Sequence, residues 1–247
     1  MKRLVLLFSI MVGLIAPAGA ASLSIWGEVF APLSYYEKGK ISGIASEIVE
    51  NMVNDSGVSV DKWILAPWAR AFKTAKERPN ILLYSVVRKP DREDLFHWIG
   101  PFSDRKISLY KLKKREDIKI FTKQEVMKYK VGALRQAAAN ETLTSVGVDL
   151  DETRAPETQF LKLVRGRNDL SIFLDVTLFH LAKKFGYSSR DFKSVMLLDD
   201  SKKYYITLSK NSDPEIVDAL KSSFIKIKKS GKLDEIINKY LGVKPGS

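Results

Sequence analysis

The sequence predicts an α/β protein made of two successive units, each with a parallel-rich sheet flanked by helices. Short apolar runs alternate with stretches in which apolar residues recur every three to four positions. One run, residues 81–87, is apolar almost throughout, which is typical of a strand buried on both faces. The alternation starts afresh near residue 107, which indicates a second unit.

The first unit has the order strand, helix, strand, helix, strand. Leu23–Trp26 is a short strand, and the turn Gly39–Gly43 follows the Tyr35-Tyr36 pair. A helix is predicted over residues 44–54, because Ile44, Ile48 and Met52 share one face. A second strand covers 58–66, Pro67 opens a second helix, and 81–87 closes this βαβαβ unit.

The second unit and the C-terminal segment repeat these signals. Strands are predicted at 107–112, 131–134, 170–174 and 204–208. Helices are predicted at 137–145, around Phe160 to Val164, and after residue 174. Pro214 opens a long helix that ends at Gly231, and a last short helix follows. Because the final helices need a sheet to cover, we expect the tail to return to the first unit.

Residues 1–20 have the pattern of a cleaved export signal. Lys2 and Arg3 precede an apolar run, and Ala18-Gly-Ala20 suits signal peptidase. A membrane anchor is the alternative, but the run is shorter than the roughly 20 residues that span a bilayer. The chain has no cysteine, which excludes disulfides and a lipid anchor on cysteine. We therefore expect a periplasmic protein.

The formal net charge of +12 permits an anionic partner such as nucleic acid. The lysines, however, are scattered and alternate with apolar residues, as in Lys111–Arg115 and Lys226–Lys229, which is typical of solvated faces. Export also disfavours nucleic acid, and we expect no such partner.

Several motifs, taken in order, resemble the bacterial extracellular solute-binding proteins of family 3, the type II periplasmic binding proteins. They are Ala31–Tyr36, Gly39–Gly43, Gly166–Asp175, Tyr204–Lys210 and Asn211–Glu215. The resemblance covers essentially the whole chain after the signal.

The resemblance implies two lobes joined by two hinge crossings, with a ligand held in the cleft. Lobe 1 is expected at residues 22–103 and 205–247, and lobe 2 at residues 104–204. Closure around a small solute, such as an amino acid or another carboxylate, would be recognised by an ABC transporter permease. A membrane receptor is the alternative partner, and a monomer is expected. No cofactor or metal is implied.

The same resemblance assigns residues to the site. Arg92 holds the place of an arginine that grips a ligand carboxylate, and a guanidinium suits that role through its paired donors. Replacement of Arg92 by alanine is expected to abolish binding and leave the fold intact. Asp175 matches an acidic residue that receives an α-ammonium, although it could instead cap the following helix.

Two hydroxyls of the amino-acid pattern are missing. Val87 replaces one threonine, and Gln136-Ala137 replaces a Gly-Thr pair, although the amides at Ala137 could still receive an anion. Three further arginines could compensate, or could simply be solvated: Arg70, Arg88 and Arg135. We therefore expect the ligand to be an α-amino acid, another small carboxylate or another anionic solute.

Aromatic residues are the other candidates. Tyr36 and Trp68 are placed in the site, whereas core packing is the default reading for any aromatic taken singly. Ser85, near the end of the strand at 81–87, is a further ligand-contact candidate.

Catalysis has little support in the sequence. His97 and His180 have neither metal-ligand nor triad spacing, and both are interpreted as structural. A carboxylate-driven lyase using Asp175 or Glu47 stays open as an alternative, but we expect a binding protein and no enzyme.

Overall fold

The computed structural model describes residues 22–242, which form ten strands and seven α-helices. The strands are β1 (Leu23–Gly27), β2 (Tyr35–Glu37), β3 (Lys40–Ser42), β4 (Val60–Leu65), β5 (Ile81–Val87), β6 (Phe96–Leu112), β7 (Val131–Leu134), β8 (Leu150–Thr153), β9 (Leu170–Leu174) and β10 (Phe192–Ser209). The helices are α1 (Ile44–Ser56), α2 (Trp68–Glu77), α3 (Glu141–Thr144), α4 (Pro156–Val164), α5 (Asp175–Lys184), α6 (Pro214–Lys229) and α7 (Lys232–Leu241). The expected signal peptide, residues 1–20, lies outside the described residues.

Eight strands form one sheet in the order β4-β1-β5-β10-β6-β9-β7-β8, and β2 and β3 pair as a separate hairpin. β1 is parallel to β4 and β5, and β7 is parallel to β8 and β9. The α/β class with a parallel-rich sheet is confirmed. The two sheets expected from the sequence are joined into one, because two long strands run through the middle of both.

Those long strands, β6 and β10, have 17 and 18 residues and pair antiparallel along their length. The register shifts near Asp199 and again before Lys202. We call the part with β1, β4, β5, α1, α2, α6 and α7 lobe 1, and the part with β7 to β9 and α3 to α5 lobe 2. The boundaries expected at residues 103 and 204 fall inside the two long strands and stay a prediction.

Lobe 1 buries its sheet between helices on both faces. Along β5, Leu82 and Tyr84 join the cluster under α1, α6 and α7, whereas Leu83 and Val86 join the cluster under α2. This two-sided burial explains why residues 81–87 are almost entirely apolar. Phe224 of α6 belongs to the same cluster as the α1 face, so the expected return of the tail to the first unit is confirmed.

The predicted start of the long C-terminal helix is confirmed, and its cause is visible. Pro214 occupies the first turn of α6, and the Asp213 side chain accepts a hydrogen bond of 3.0 Å from the backbone amide of Glu215. Such a cap stabilises a helix by about 1 kcal/mol.

The helix expected at 137–145 is much shorter in the structure. A 3₁₀ turn at Ala138–Asn140 leads directly into the four-residue α3. Gln136 before it has a left-handed backbone, with φ of 59°. Among the described helices, none is long and apolar enough to cross a membrane.

Candidate functional site

A cavity of about 430 Å³, called here the cleft cavity, lies between the two lobes. Lobe 1 contributes the loop Val29–Ala31, and hinge strand β6 contributes Arg105 and Ile107. Lobe 2 contributes the remaining lining: Leu134, Ala137–Asn140, Pro156, Glu157, Gln159, Ile172–Leu174 and Thr177. The volume is within the range of pockets that bind small molecules, about 300–1,000 Å³.

The cleft cavity lies at the carboxyl ends of parallel strands from both lobes. Val29–Ala31 follow β1, Ala137–Asn140 follow β7, and Leu174 ends β9. Open α/β sheets bind their ligands in crevices at this edge, because the loops that leave neighbouring strands diverge there. The sheet topology therefore places the cavity where a ligand is expected.

Most of the lining is apolar. Phe30, Ile107, Leu134, Ile172 and the alanines at 137–139 supply hydrocarbon surface. Phe30 packs edge-to-face on Tyr204 of hinge strand β10, with ring centroids 6.2 Å apart. A ligand that fills this cavity gains most from an apolar body.

Arg105 is the one cation that lines the cleft cavity among the described residues. Its Nη1 lies 2.9 Å from Oδ2 of Asp199, and both side chains are less than a quarter exposed. Lys202 Nζ lies 3.6 Å from the same Asp199 oxygen. Hydrogen bonds from Ser201, followed by the charges of Lys202 and Arg105, hold the pKa of Asp199 below its usual value against the opposing effect of burial.

Asn140 contributes an acceptor with no partner. Its side chain is 7% exposed, and its Nδ2 donates to the Leu134 carbonyl (3.0 Å) and to Glu152 Oε1 (3.1 Å). Its buried Oδ1 has no hydrogen-bond partner among the described residues. An unpaired buried polar atom costs about 1–3 kcal/mol, so a donor group placed there is favoured.

Two other polar lining residues, Glu157 and Gln159, are already engaged. Glu157, the one carboxylate among the described lining residues, forms an exposed ion pair with Lys184, with 3.3 Å between Oε1 and Nζ. The Nε2 of Gln159, a residue 1% exposed, donates to the Ile172 carbonyl (2.5 Å) and to Ser171 Oγ (3.0 Å). These contacts fix α4 against β9 and shape the wall of the cavity.

Of the residues assigned to the site from the sequence, Ala137 lines the cleft cavity and Asp175 does not. Asp175 is the first residue of α5 and accepts a hydrogen bond of 3.4 Å from Ser108 Oγ. It lines a different cavity, of about 420 Å³, together with Lys106, Lys203 and Lys228. Burial raises the pKa of its carboxyl, and hydrogen bonds from Tyr110 and Ser108 partly offset this effect.

Arg92 packs on the aromatic face of α2. Its Cζ lies 5.0 Å from the ring centroid of Phe72 and 5.5 Å from that of Trp68, and its Nη1 donates to the Val87 carbonyl at 3.3 Å. No carboxylate among the described residues lies within ion-pair distance of Arg92. Arg92 and Trp68, both assigned to the site, are thus brought together, but not in the lining of the cleft cavity.

Arg88 and Arg70 do not line the cleft cavity either, and both lie over rings of the hydrophobic cluster that also contains Trp68. Arg88 is paired with Glu93 and lies over Trp98, 5.3 Å from its centroid. Arg70 lies over Trp26, Arg135 pairs with Glu152, and Tyr36 on the β2–β3 hairpin is 55% exposed.

Ser85 sits in a register shift of β5 with a left-handed φ of 62°. Its buried hydroxyl has no partner among the described residues. Backbone of this kind is costly for a residue other than glycine and is often kept at functional sites. The structure does not place Ser85 in the lining of the cleft cavity.

Sequence reasoning missed Arg105 and Asn140. Arg105 stands in the basic, strand-like approach to residue 107, where it resembles any solvated cation of the sheet. Asn140 lies inside the predicted helix 137–145, where its polar side chain gave no signal.

Two α/β lobes joined by two crossing strands, with a small-molecule cavity between them, define a two-lobed binding protein. The chain belongs to the bacterial extracellular solute-binding proteins, family 3, whose profile matches residues 26–243. The resemblance inferred from the sequence is confirmed. None of the curated proteins compared with the chain matches it.

Solved structures with low sequence identity share the fold. Substrate-binding domain 2 of Lactococcus lactis GlnP, in an open conformation, has a TM-score of 0.73 and 17% identity, covering 93% of this chain and 98% of that one. An ancestral cationic amino acid solute-binding protein has a TM-score of 0.72 and 16% identity, covering 89% and 95%. A histidine kinase sensor domain has a TM-score of 0.63 and 18% identity, covering 90% and 96%.

Proposed function

We propose that this chain is an exported periplasmic protein that captures a small polar solute, an amino acid or another small carboxylate, between its lobes. The observation that carries the proposal is the cleft cavity, which is lined from both lobes and from hinge strand β6. A ligand that contacts both lobes binds the closed form better than the open form. Ligand binding therefore shifts the population toward closure.

Closure would be a rotation of the lobes about β6 and β10. The register shifts near Asp199 already interrupt the regular pairing of these strands, and we place the hinge there. The closed, loaded monomer would then be recognised by the permease of an ABC transporter, which receives the solute.

A sensor function is the second candidate. The fold is shared with a histidine kinase sensor domain, so the same closure could report the solute to a membrane receptor. Cross-linking of loaded protein to membranes of the source organism distinguishes the two readings. An ABC permease as the cross-linked product supports delivery, whereas a receptor supports sensing.

A thermal-shift screen tests the binding function itself. The mature protein is refolded to remove carried-over ligand and is screened against amino acids, polyamines, dicarboxylates and other small carboxylates. A ligand at a hundred times its dissociation constant stabilises the folded state by about 2.7 kcal/mol. Silence across the whole panel contradicts the proposal.

Two further measurements complete the test. Small-angle scattering with a positive ligand should show a smaller radius of gyration, because the lobes close. Recovery of that ligand chemically unchanged after prolonged incubation supports a binding protein, whereas turnover would favour the lyase alternative.

A further inference from the structure

The cleft cavity has a charge pattern that restricts its ligand. At the hinge, two cations, Arg105 and Lys202, share the single carboxylate of Asp199. This group therefore keeps one net positive charge beside the cavity. A ligand with one carboxylate would neutralise it, and the planar guanidinium of Arg105 offers paired donors for that purpose.

Among the described lining residues, the cleft cavity has no unpaired carboxylate for a ligand ammonium. Glu157 is paired with Lys184, and Asp175 lines the other cavity. An ammonium placed against the apolar lining would lose its water without gaining a counter-charge, which is strongly unfavourable.

One buried acceptor nevertheless has no partner. Asn140 is part of the cavity lining, and its buried Oδ1 is unpartnered among the described residues. It is a neutral oxygen, so it pairs with a hydroxyl or amide hydrogen without the need for a second charge.

We propose, on the basis of the solute-binding function above, that the cleft takes a monocarboxylate with an apolar body and a neutral hydrogen-bond donor, in preference to the free α-amino acid. Arg105 receives the carboxylate, Asn140 Oδ1 accepts from the hydroxyl or amide group, and the apolar lining holds the body.

Ligand series with constant bodies test the preference. For the leucine body the series is leucine, 2-hydroxy-4-methylpentanoate, N-acetylleucine and 4-methylpentanoate. For the phenylalanine body it is phenylalanine, phenyllactate, N-acetylphenylalanine and 3-phenylpropionate. Calorimetry should show a hydroxy or N-acetyl acid binding more than about tenfold tighter than the amino acid of the same body. The unsubstituted acid should fall between them.

A thermodynamic cycle tests Asn140. The gain in affinity of the hydroxy acid over the unsubstituted acid is measured in the unaltered protein and in Asn140→Ala. A neutral hydrogen bond corresponds to a gain of about 2- to 10-fold, which should vanish in the variant. Asn54→Ala, at an exposed position of α1, is the matched control and should keep the gain. Asn140→Leu, which keeps the side-chain size but has no acceptor, replaces the alanine variant if that one does not fold, and the gain should vanish there too.

Arg105→Gln tests the carboxylate contact, with Arg78→Gln at an exposed position as its control. Binding of the hydroxy acid should weaken more than about tenfold in the first variant and stay unchanged in the second. If Arg105→Gln does not fold, Arg105→Lys keeps the charge but loses the paired geometry, and it should also weaken binding.

The outcomes separate this inference from the proposed function. Tighter binding of free amino acids, or an Asn140→Ala variant that keeps the hydroxyl gain, overturns the inference and leaves the solute-binding function standing. Binding only of ligands outside both series also overturns the inference but leaves the solute-binding function standing. If no ligand binds, both the inference and the solute-binding function are overturned.

Discussion

Arg105 and Asp199 form an ion pair of 2.9 Å that joins the two hinge strands at the wall of the cleft cavity. The pair spans β6 and β10 at the point where their register shifts. It therefore links the ligand cavity to the strands about which the lobes would rotate.

Replacement of Asp199 by asparagine should destabilise the protein. The change leaves Arg105 and Lys202 without their shared carboxylate, and charge-assisted hydrogen bonds contribute about 1.5–3 kcal/mol. We expect the free energy of unfolding to fall by about 1–2 kcal/mol in urea denaturation. Asp200→Asn, at the neighbouring exposed position, should change it by less than about 0.5 kcal/mol. Equal losses of unfolding free energy in both variants would show that the ion pair does not stabilise the protein.

Arg92 and Arg105 are competing candidates for the contact with the ligand carboxylate. Because Arg92 packs on Trp68 and Phe72 and does not line the cleft cavity, Arg92→Ala should retain measurable binding. Arg105→Ala should lose it. Calorimetry with one ligand from the thermal-shift screen compares the two variants. Loss of binding in Arg92→Ala together with retained binding in Arg105→Ala would instead support the role that the family resemblance assigns to Arg92.

Stability should fall in mild acid because of His180. Its ring lies 5.8 Å from that of Tyr35, and burial, followed by the charge of Lys184, lowers the pKa of its imidazole from 6.5. The unfolded chain therefore binds this proton at a higher pH than the folded protein. The free energy of unfolding consequently decreases as the pH drops below about 6.5.

Urea unfolding at pH 7.5 and pH 5.5 measures this effect. The loss between the two values should be smaller in His180→Gln than in the unaltered protein. His97→Gln is the matched control and should show the same loss as the unaltered protein. His97 is a half-buried histidine on β6, with its Nε2 2.9 Å from the Lys210 carbonyl oxygen. An undiminished loss in His180→Gln would assign the acid sensitivity to other groups.

Ser85→Gly should stabilise the protein, unlike most serine-to-glycine changes. Glycine adopts the left-handed φ of 62° without strain, and the change also removes a buried hydroxyl that has no partner among the described residues. We expect the free energy of unfolding to rise by about 1 kcal/mol. Ser222→Gly, on the exposed side of α6, should lower it by about 0.5–1 kcal/mol, because glycine weakens a helix interior. A change of the same sign in the unfolding free energy of both variants would show that the backbone at Ser85 is not strained.

Local patterns predicted most of the elements. The bounds of β5, β7 and β9 agree with the structure, because uninterrupted apolar runs reflect burial of the strand itself. The length of β6 was not predicted, because Gly100-Pro101 reads as a turn. In the structure, Pro101 falls where β6 forms an edge of the sheet, beyond its pairing with β9. Pro101 also lies in a register shift of β6 against β10, between the pairs Ile99–Ile206 and Ser103–Tyr204, and strands tolerate proline at edges and bulges.

The site was less predictable than the fold. Arg92 and Asp175 were assigned from motif positions, whereas the lining of the cleft cavity depends on which way each side chain of a crossing strand faces. A register shift changes that direction, and the sequence near Asp199 carries no signal of one. Asn140 was missed for a similar reason, because the 3₁₀ turn that places this residue in the cavity lining was expected to be a regular helix.

The two crossing strands also determine when the chain can fold. Lobe 2 is inserted between β6 and β10, so lobe 1 takes its core from both ends of the sequence. Ile44 and Ile48 are buried against Phe224, Leu233 and related side chains that are synthesised almost 200 residues later. A nascent chain cannot complete this hydrophobic core until α6 and α7 have left the ribosome. If residues 1–20 direct export, this late completion leaves the chain without its lobe 1 core during most of its synthesis.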